Sequence, residues 1–134
     1  MIKDSMIEDS IKIVILAGGS GTRLYPLSTV NNPKQFIKLH RNLSLFQMTI
    51  KRYKKIAKYK EDILVLTCDK YRHIAIKQAA ELGISKDQVY AEPEGRNTAP
   101  ALAYMCKILE NNGHVPEHTT LIITPSDQRK LDLY

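Results

Sequence analysis

The chain lacks any apolar stretch near the ~20 residues that a helix needs to cross a bilayer. Residues 1–10 carry acidic side chains where a secretory leader would pass from basic to apolar. A cytoplasmic location with no membrane partner is therefore expected. Cysteine is scarce: Cys68 and Cys106 stand far apart, with no Cys-x-x-Cys and no second ligand pair. Free buried thiols are expected in place of a disulfide or a zinc centre. His40, His73, His114 and His118 show no Glu-x-x-His or comparable ligand spacing, so packing or surface roles are preferred for them. Repeats and low-complexity linkers are missing, and 134 residues leave room for one compact domain but not two. A composition of 43% hydrophobic and 25% charged residues sets aside collagen-like, coiled-coil and wholly disordered classes.

Acidic residues are missing from one long stretch. Residues 10–60 hold eleven Lys or Arg and no Asp or Glu, so the net +6 divides into a strongly basic part and a remainder of −5. This asymmetry suggests a polyanionic ligand, either nucleic acid or the phosphates of a nucleotide. The densest run lies between Lys51 and Lys60. Phe46, Ile50, Tyr53, Ile56 and Ala57 recur there at helical spacing, which turns the lysines outward as a solvated helix face. A nucleic-acid partner is disfavoured, because no RRM, KH or zinc-finger pattern accompanies the lysines.

Four short apolar runs are present, at 11–17, 63–67, 89–91 and 121–124, and three of them are nearly continuous Ile, Val and Leu. They read as buried strands of a parallel sheet. Helical patterns lie between them. The first opens with Ser44-Leu45-Phe46-Gln47, a capping box, and is expected to run to about Lys58. The second follows Asp69 as N-cap, carries Tyr71, Ile74, Ala75, Gln78 and Leu82 on one face, and stops at Gly83. The third opens near Asn97 or Thr98, tolerates Pro100 in its first turn, and carries Leu102, Ala103, Cys106 and Leu109. The alternation predicts an α/β fold of Rossmann type with right-handed crossovers and ligands at the carboxyl ends of the strands. Residues 1–10 are expected to form a flexible tail. The stretch from Gly18 to Arg41 is too long for a plain connection, which marks it as functional or mobile.

Directly after the first strand comes Leu16-Ala17-Gly18-Gly19-Ser20-Gly21-Thr22-Arg23-Leu24-Tyr25-Pro26-Leu27. Three glycines in four positions let backbone N–H groups turn toward an anion. The loop is not a Walker A motif, and it departs from Gly-x-Gly-x-x-Gly because Leu24 holds the third glycine position. For the glycines alone, a tight turn without a ligand is an equal reading. Arg23 tips the balance, since a guanidinium two residues past Gly21 can make paired hydrogen bonds to phosphate oxygens.

This loop, followed by Pro33-Lys34, closely resembles the opening motif of the sugar-1-phosphate nucleotidyltransferases. Pro33-Lys34-Gln35-Phe36, Ser44-Leu45-Phe46-Gln47 and the segment from Glu92 through Gly95-Arg96-Asn97-Thr98 to Ala101 resemble the mannose-1-phosphate guanylyltransferase branch. The resemblance covers residues 11–127. It implies a Rossmann-like, GT-A-like, mostly parallel sheet flanked by helices and incomplete at the C-terminus. It also implies transfer of GMP from GTP to mannose 1-phosphate, giving GDP-mannose and pyrophosphate, with Mg²⁺ as cofactor.

By the same resemblance Arg23 and Lys34 face the triphosphate as the catalytic cations. Ala17, Gly18, Gly19, Ser20, Gly21 and Thr22 would cradle the nucleotide with them, and Asp127 would be a metal ligand. The family pattern around that aspartate is Pro-Ala-Asp-His, and here Ser126 and Gln128 replace its alanine and histidine. Glu92, Gly95, Arg96, Asn97 and Thr98 fall in the nucleotide-recognition loop, where Glu92 could accept hydrogen bonds from guanine N1–H and the exocyclic amine. Such chemistry calls for cations and in-line positioning, since the attacking phosphate oxygen is already ionised. The family's catalytic domain is longer than this chain, so residues 11–134 are expected to be its truncated N-terminal portion. Exposed sheet edges and self-association would follow. Two other readings stand beside transfer: a non-catalytic nucleotide-binding remnant or interaction fragment, and a basic nucleic-acid binder.

Overall fold

A computed structural model describes residues 10–18, 34–92, 98–111, 113 and 118–126. The β-branched run at the start forms strand β1 (Ser10–Leu16), one residue earlier than the expected tail allowed, with Ile13, Val14 and Ile15 buried. A 3-10 turn (Lys34–Phe36) leads into a short antiparallel hairpin of β2 (Lys38–His40) and β3 (Leu43–Ser44). Arg41 and Asn42 join these strands at φ 48° and 64°, both left-handed, as the favoured two-residue hairpin turns require. Sequence periodicity does not mark this hairpin, because its strands are too short to show alternation.

Helix α1 (Leu45–Lys54) starts on the predicted capping box: the Gln47 N–H donates to Ser44 Oγ, and the Ser44 N–H donates to Gln47 Oε1, both at 3.1 Å. It ends four residues before the expected Lys58. The N–H groups of Ile56 and Ala57 converge on Tyr53 O and close the last turn, which leaves Ile56 64% exposed, outside the core that its spacing suggests. Strand β4 (Ile63–Cys68) is buried from Ile63 to Thr67. Asp69 opens a 3-10 turn (Asp69–Tyr71) and does not cap helix α2 (Arg72–Ala80), which has no side-chain cap. Gly83 follows at φ 82°, and the Ile84 N–H returns to Ala79 O.

Strand β5 (Val89–Glu92), helix α3 (Thr98–Asn111) and strand β6 (Thr119–Pro125) complete the described elements. Helix α3 buries Met105 and Leu109 and half-buries Tyr104 and Ile108, while Ala103 and Cys106 are exposed. Of the expected inner residues Leu109 is buried, Ala103 and Cys106 are not, and the side chain of Leu102 lies outside the described residues; Cys106 is a free but exposed thiol, and Cys68 is free and half-buried.

The sheet order is β5-β4-β1-β6, and every neighbouring pair is parallel. Helices α1 and α2 cover one face, packing Phe46, Ile50, Ala75 and Ala79 on Ile13, Ile15, Ile63 and Val65. Helix α3 covers the other, packing Met105 and Leu109 on Val14, Leu64 and Leu66. The chain runs β1, β4, β5 in one direction and then returns past β1 to β6. With crossovers of one hand, that reversal places α3 on the opposite face from α1 and α2. It also creates a topological switch point between the carboxyl ends of β1 and β6. Among the described residues no helix is long and apolar enough to cross a membrane.

Candidate functional site

The carboxyl ends of β1, β4, β5 and β6 form one edge, and the glycine-rich motif begins there. Side chains from both neighbouring strands hold the end of β1. The Thr67 hydroxyl of β4 donates to Ala17 O at 2.7 Å, and the Ala17 N–H donates to Leu66 O at 2.9 Å. From the residue just past β6, the Ser126 N–H and its hydroxyl both donate to Leu16 O, at 3.1 and 2.7 Å. The Cys68 thiol lies 3.9 Å from Gly18 O, a weak contact at the limit for sulfur. A Cβ built on Gly18 would meet nothing within 4 Å. The packing among the described residues therefore does not demand glycine at this position.

Glu92 ends β5 and pairs in register with Cys68 of β4. Alternation places it on the same sheet face as Tyr90, which packs toward α3. Tyr104 of that helix donates its hydroxyl to Ala91 O at 3.1 Å and fixes this strand end. Glu92 is only 8% exposed, and burial pushes its carboxyl above the usual carboxylate range. No basic group pairs with it among the described residues. A buried carboxyl with no basic partner among the described residues, at the ligand edge of a parallel sheet, is an acceptor suited to N–H donors of a ligand.

Lys34 sits on the turn before β2 and is 6% exposed, which the solvated loop lysine that its sequence position alone would suggest is not. Two residues on, the Phe36 ring meets Phe46 edge-on at 5.3 Å and Tyr71 at 5.9 Å. Gln78 of α2 donates to Phe36 O at 2.9 Å. Gln78 also accepts from Ser44 Oγ at 2.6 Å, and its carbonyl accepts from Gln47 Nε2 at 3.1 Å. The turn carrying Lys34 is thereby tied to both helices through buried amides. Tyr71 lies three residues past the end of β4, so the turn belongs to the carboxyl-edge half of the molecule.

The structure thus brings Ala17 and Gly18 together with Thr67, Cys68 and Ser126, and sets Glu92 two strands away on the same edge. Gly19, Ser20, Gly21, Thr22, Arg23, Gly95, Arg96, Asn97 and Asp127 lie outside the described residues. Thr98 is described only as the first residue of α3. Among the described residues, no three of His, Cys, Asp and Glu come together as a metal site. Asp127, the expected magnesium ligand, directly follows Ser126, whose two bonds to Leu16 O anchor that strand end. Sequence reasoning missed the positioning hydroxyls of Thr67 and Ser126. A hydroxyl residue in the last positions of an apolar strand was the available signal.

Comparison with known proteins accords with this arrangement. Residues 12–130 match the family described as nucleotidyl transferase. The chain is 39% identical over 126 residues to mannose-1-phosphate guanylyltransferase of Sinorhizobium fredii, covering 94% of this chain and 24% of that protein. It is 40% identical over 114 residues to the xanthan biosynthesis protein XanB of Xanthomonas campestris, covering 85% and 23%. It is 37% identical over 118 residues to a mannose-1-phosphate guanylyltransferase of Escherichia coli, covering 88% and 24%. The chain therefore spans about a quarter of the length of these curated relatives. Its fold is similar to the crystal structure of mannose-1-phosphate geranyltransferase from Thermus thermophilus, with a TM-score of 0.68 at 25% identity over 88% of this chain and 32% of that one. It is also similar to mannose-6-phosphate isomerase from Helicobacter pylori, with a TM-score of 0.62 at 27% identity over 88% and 38%.

Proposed function

The chain belongs to the nucleotidyl transferase family, and from that premise we propose that it serves the transfer of GMP from GTP to mannose 1-phosphate. The observation that carries this reading is the shared edge: the glycine strand end at Gly18 and a buried Glu92 with no basic partner among the described residues, two strands away, a lateral separation of about 10 Å. A nucleotide laid along that edge reaches the glycine loop with its phosphates and β5 with its base. In the reaction, a phosphate oxygen of mannose 1-phosphate attacks the α-phosphorus of GTP. The bond from that phosphorus to the bridging β-phosphate oxygen breaks, and pyrophosphate leaves.

The nucleophile is ionised at neutral pH, so no protein base is needed. The work left to the chain is positioning and charge neutralisation. Arg23 and Lys34 supply cations to the triphosphate, and the loop amides from Gly18 to Thr22 hold its oxygens. Glu92 accepts from guanine N1–H and the exocyclic amine, with Gly95, Arg96, Asn97 and Thr98 lining the rest of the base and ribose. Asp127 would hold Mg²⁺ together with phosphate oxygens, and the ion would supply further neutralisation of the crowded charge.

The test incubates the purified chain with radiolabelled GTP, mannose 1-phosphate and MgCl₂. Formation of labelled GDP-mannose with release of pyrophosphate is expected. Binding of GTP with no transfer would replace the reading with that of a nucleotide-binding unit. Base recognition is tested separately by comparing GTP with ITP, which lacks the exocyclic amine. Wild type should favour GTP and Glu92→Gln should lose that preference. Equal discrimination by both proteins would remove Glu92 from the site. Self-association belongs to the same proposal: β6 ends the sheet among the described residues, and Thr119–Pro125 contains no charged side chain to blunt its edge. Sedimentation velocity over a concentration series should show dimers or larger species.

A further inference from the structure

We propose that Thr67 and Ser126 are positioning residues that aim the first amide of the phosphate cradle. In a trans peptide the carbonyl of one residue and the N–H of the next point in opposite directions. Leu16 O is held toward β6 by Ser126, and the Ala17 N–H accordingly points to β4, where it meets Leu66 O. Ala17 O is held toward β4 by the Thr67 hydroxyl. The Gly18 N–H must therefore point toward β6, into the crevice at the switch point, and it meets no acceptor among the described residues. Both hydroxyls are buried, Thr67 and Ser126 each at 1% exposure, so neither exchanges its bond for one to bulk water.

The arrangement fixes the amide before the ligand arrives. A preset donor avoids the ordering cost that a free glycine loop would meet on binding. The Thr67 contact is the sole donor to Ala17 O among the described residues, whereas Leu16 O keeps the Ser126 N–H if the hydroxyl is removed. Loss at Thr67 should accordingly weigh more. Ser126 adds a second bond on the Leu16 carbonyl, directly before the proposed metal ligand in the chain.

This inference rests on the phosphate-binding part of the proposed function and not on the transfer step. Calorimetric titration of the 134-residue chain with Mg²⁺-tripolyphosphate and, separately, with guanosine tests it. Thr67→Val should weaken tripolyphosphate about tenfold and Ser126→Ala about threefold, as expected for losing one buried hydrogen bond and one of two. Guanosine affinity should stay within about twofold in both, since both hydroxyls bond to the end of β1 and not to β5. Thr67→Ser, which keeps the hydroxyl, should restore tripolyphosphate binding even if Thr67→Val also lowers the melting temperature. Equal losses for both probes, unchanged tripolyphosphate affinity, or failure of Thr67→Ser to rescue would overturn the assignment. Absence of tripolyphosphate binding in wild type would overturn it together with the cradle. Selective losses in a chain that transfers no GMP would support it and count against the transfer reading alone.

Discussion

Two polar regions of this molecule are built on opposite plans. At the junction of α1, α2 and the β2–β3 hairpin, Ser44, Gln47, Gln78, Glu81 and Lys38 satisfy one another. Gln47 Nε2 donates to Glu81 Oε1 at 2.8 Å, and Lys38 Nζ donates to the same oxygen at 2.9 Å. These bonds, first that from Lys38 and then that from Gln47, hold the Glu81 carboxyl below the usual range. At the carboxyl edge of the sheet, burial holds the Glu92 carboxyl above that range, and neither Glu92 nor the Gly18 N–H has a partner among the described residues. The first region uses its hydrogen bonds to hold the fold together. The second leaves a donor and an acceptor without partners among the described residues, at the edge where the proposed nucleotide would supply them.

Substitutions that separate stability from binding put this contrast at risk. The largest effect is expected from Phe46→Ala, which empties a fully buried site against Phe36 and Ile50. It should lower the unfolding free energy by about 4 kcal/mol in urea titrations. A loss below about 1 kcal/mol would show that the α1 face does not carry the stability. Gln47→Ala comes next, at about 3 kcal/mol, because it removes the side-chain half of the capping box and strands the buried Gln78 carbonyl. Its GTP affinity should change only through the turn that carries Lys34.

Lys34→Met keeps the buried stem and removes the charge. It should weaken GTP about thirtyfold in equilibrium binding, near ~2 kcal/mol for a charge-assisted hydrogen bond, with little loss in unfolding free energy. If unfolding changes and binding does not, Lys34 belongs to the structural region and not to the site.

The smallest effects concern pH, and they run in opposite directions for the two glutamates. Glu81 titrates lower in the folded chain than unfolded, so its contribution is present above the unfolded pKa and is lost as pH falls through the folded one. Glu92 titrates higher when folded. The native state then binds its proton more tightly, and that contribution is lost as pH rises from the unfolded pKa through the folded one. Thermal melts across this acid range should show Glu92→Gln flattening the decline on the rising side. Glu81→Gln should flatten only the falling side, and identical profiles for the two variants would erase the distinction.

Much of the fold is legible in the sequence because strong local signals coincide with it. The apolar runs form β1, β4, β5 and β6, and the Ser44–Gln47 capping box closes as its spacing implies. Periodicity puts Gln78 on the inner face of α2, where it is indeed buried. Helix ends are less legible. The lysines and apolar residues continue past Lys54 in a helical pattern, but the chain closes on Tyr53 O, and no side-chain pattern encodes that closure. The inner face of α3 differs in part from the expected one because Ala103 and Cys106 are small enough to suit either face. Contact with Val14 and Leu66 adds Met105 to the expected Leu109.

The chemistry of the site divides in the same way. Glycine spacing, Arg23, Pro33-Lys34 and the segment opening at Glu92 are chemical identities that a linear sequence carries by itself, together with the basic character of residues 10–60 and the parallel α/β class. Which strands are neighbours is a non-local property, set by burial of both sheet faces. Through it the tertiary structure alone placed β6 beside β1, formed the switch point, buried Lys34 and Glu92, and brought Thr67 and Ser126 onto consecutive carbonyls from opposite sides. A hydroxyl has no preferred partner in sequence. It acquires one when packing brings a carbonyl within reach and removes the water that would otherwise compete.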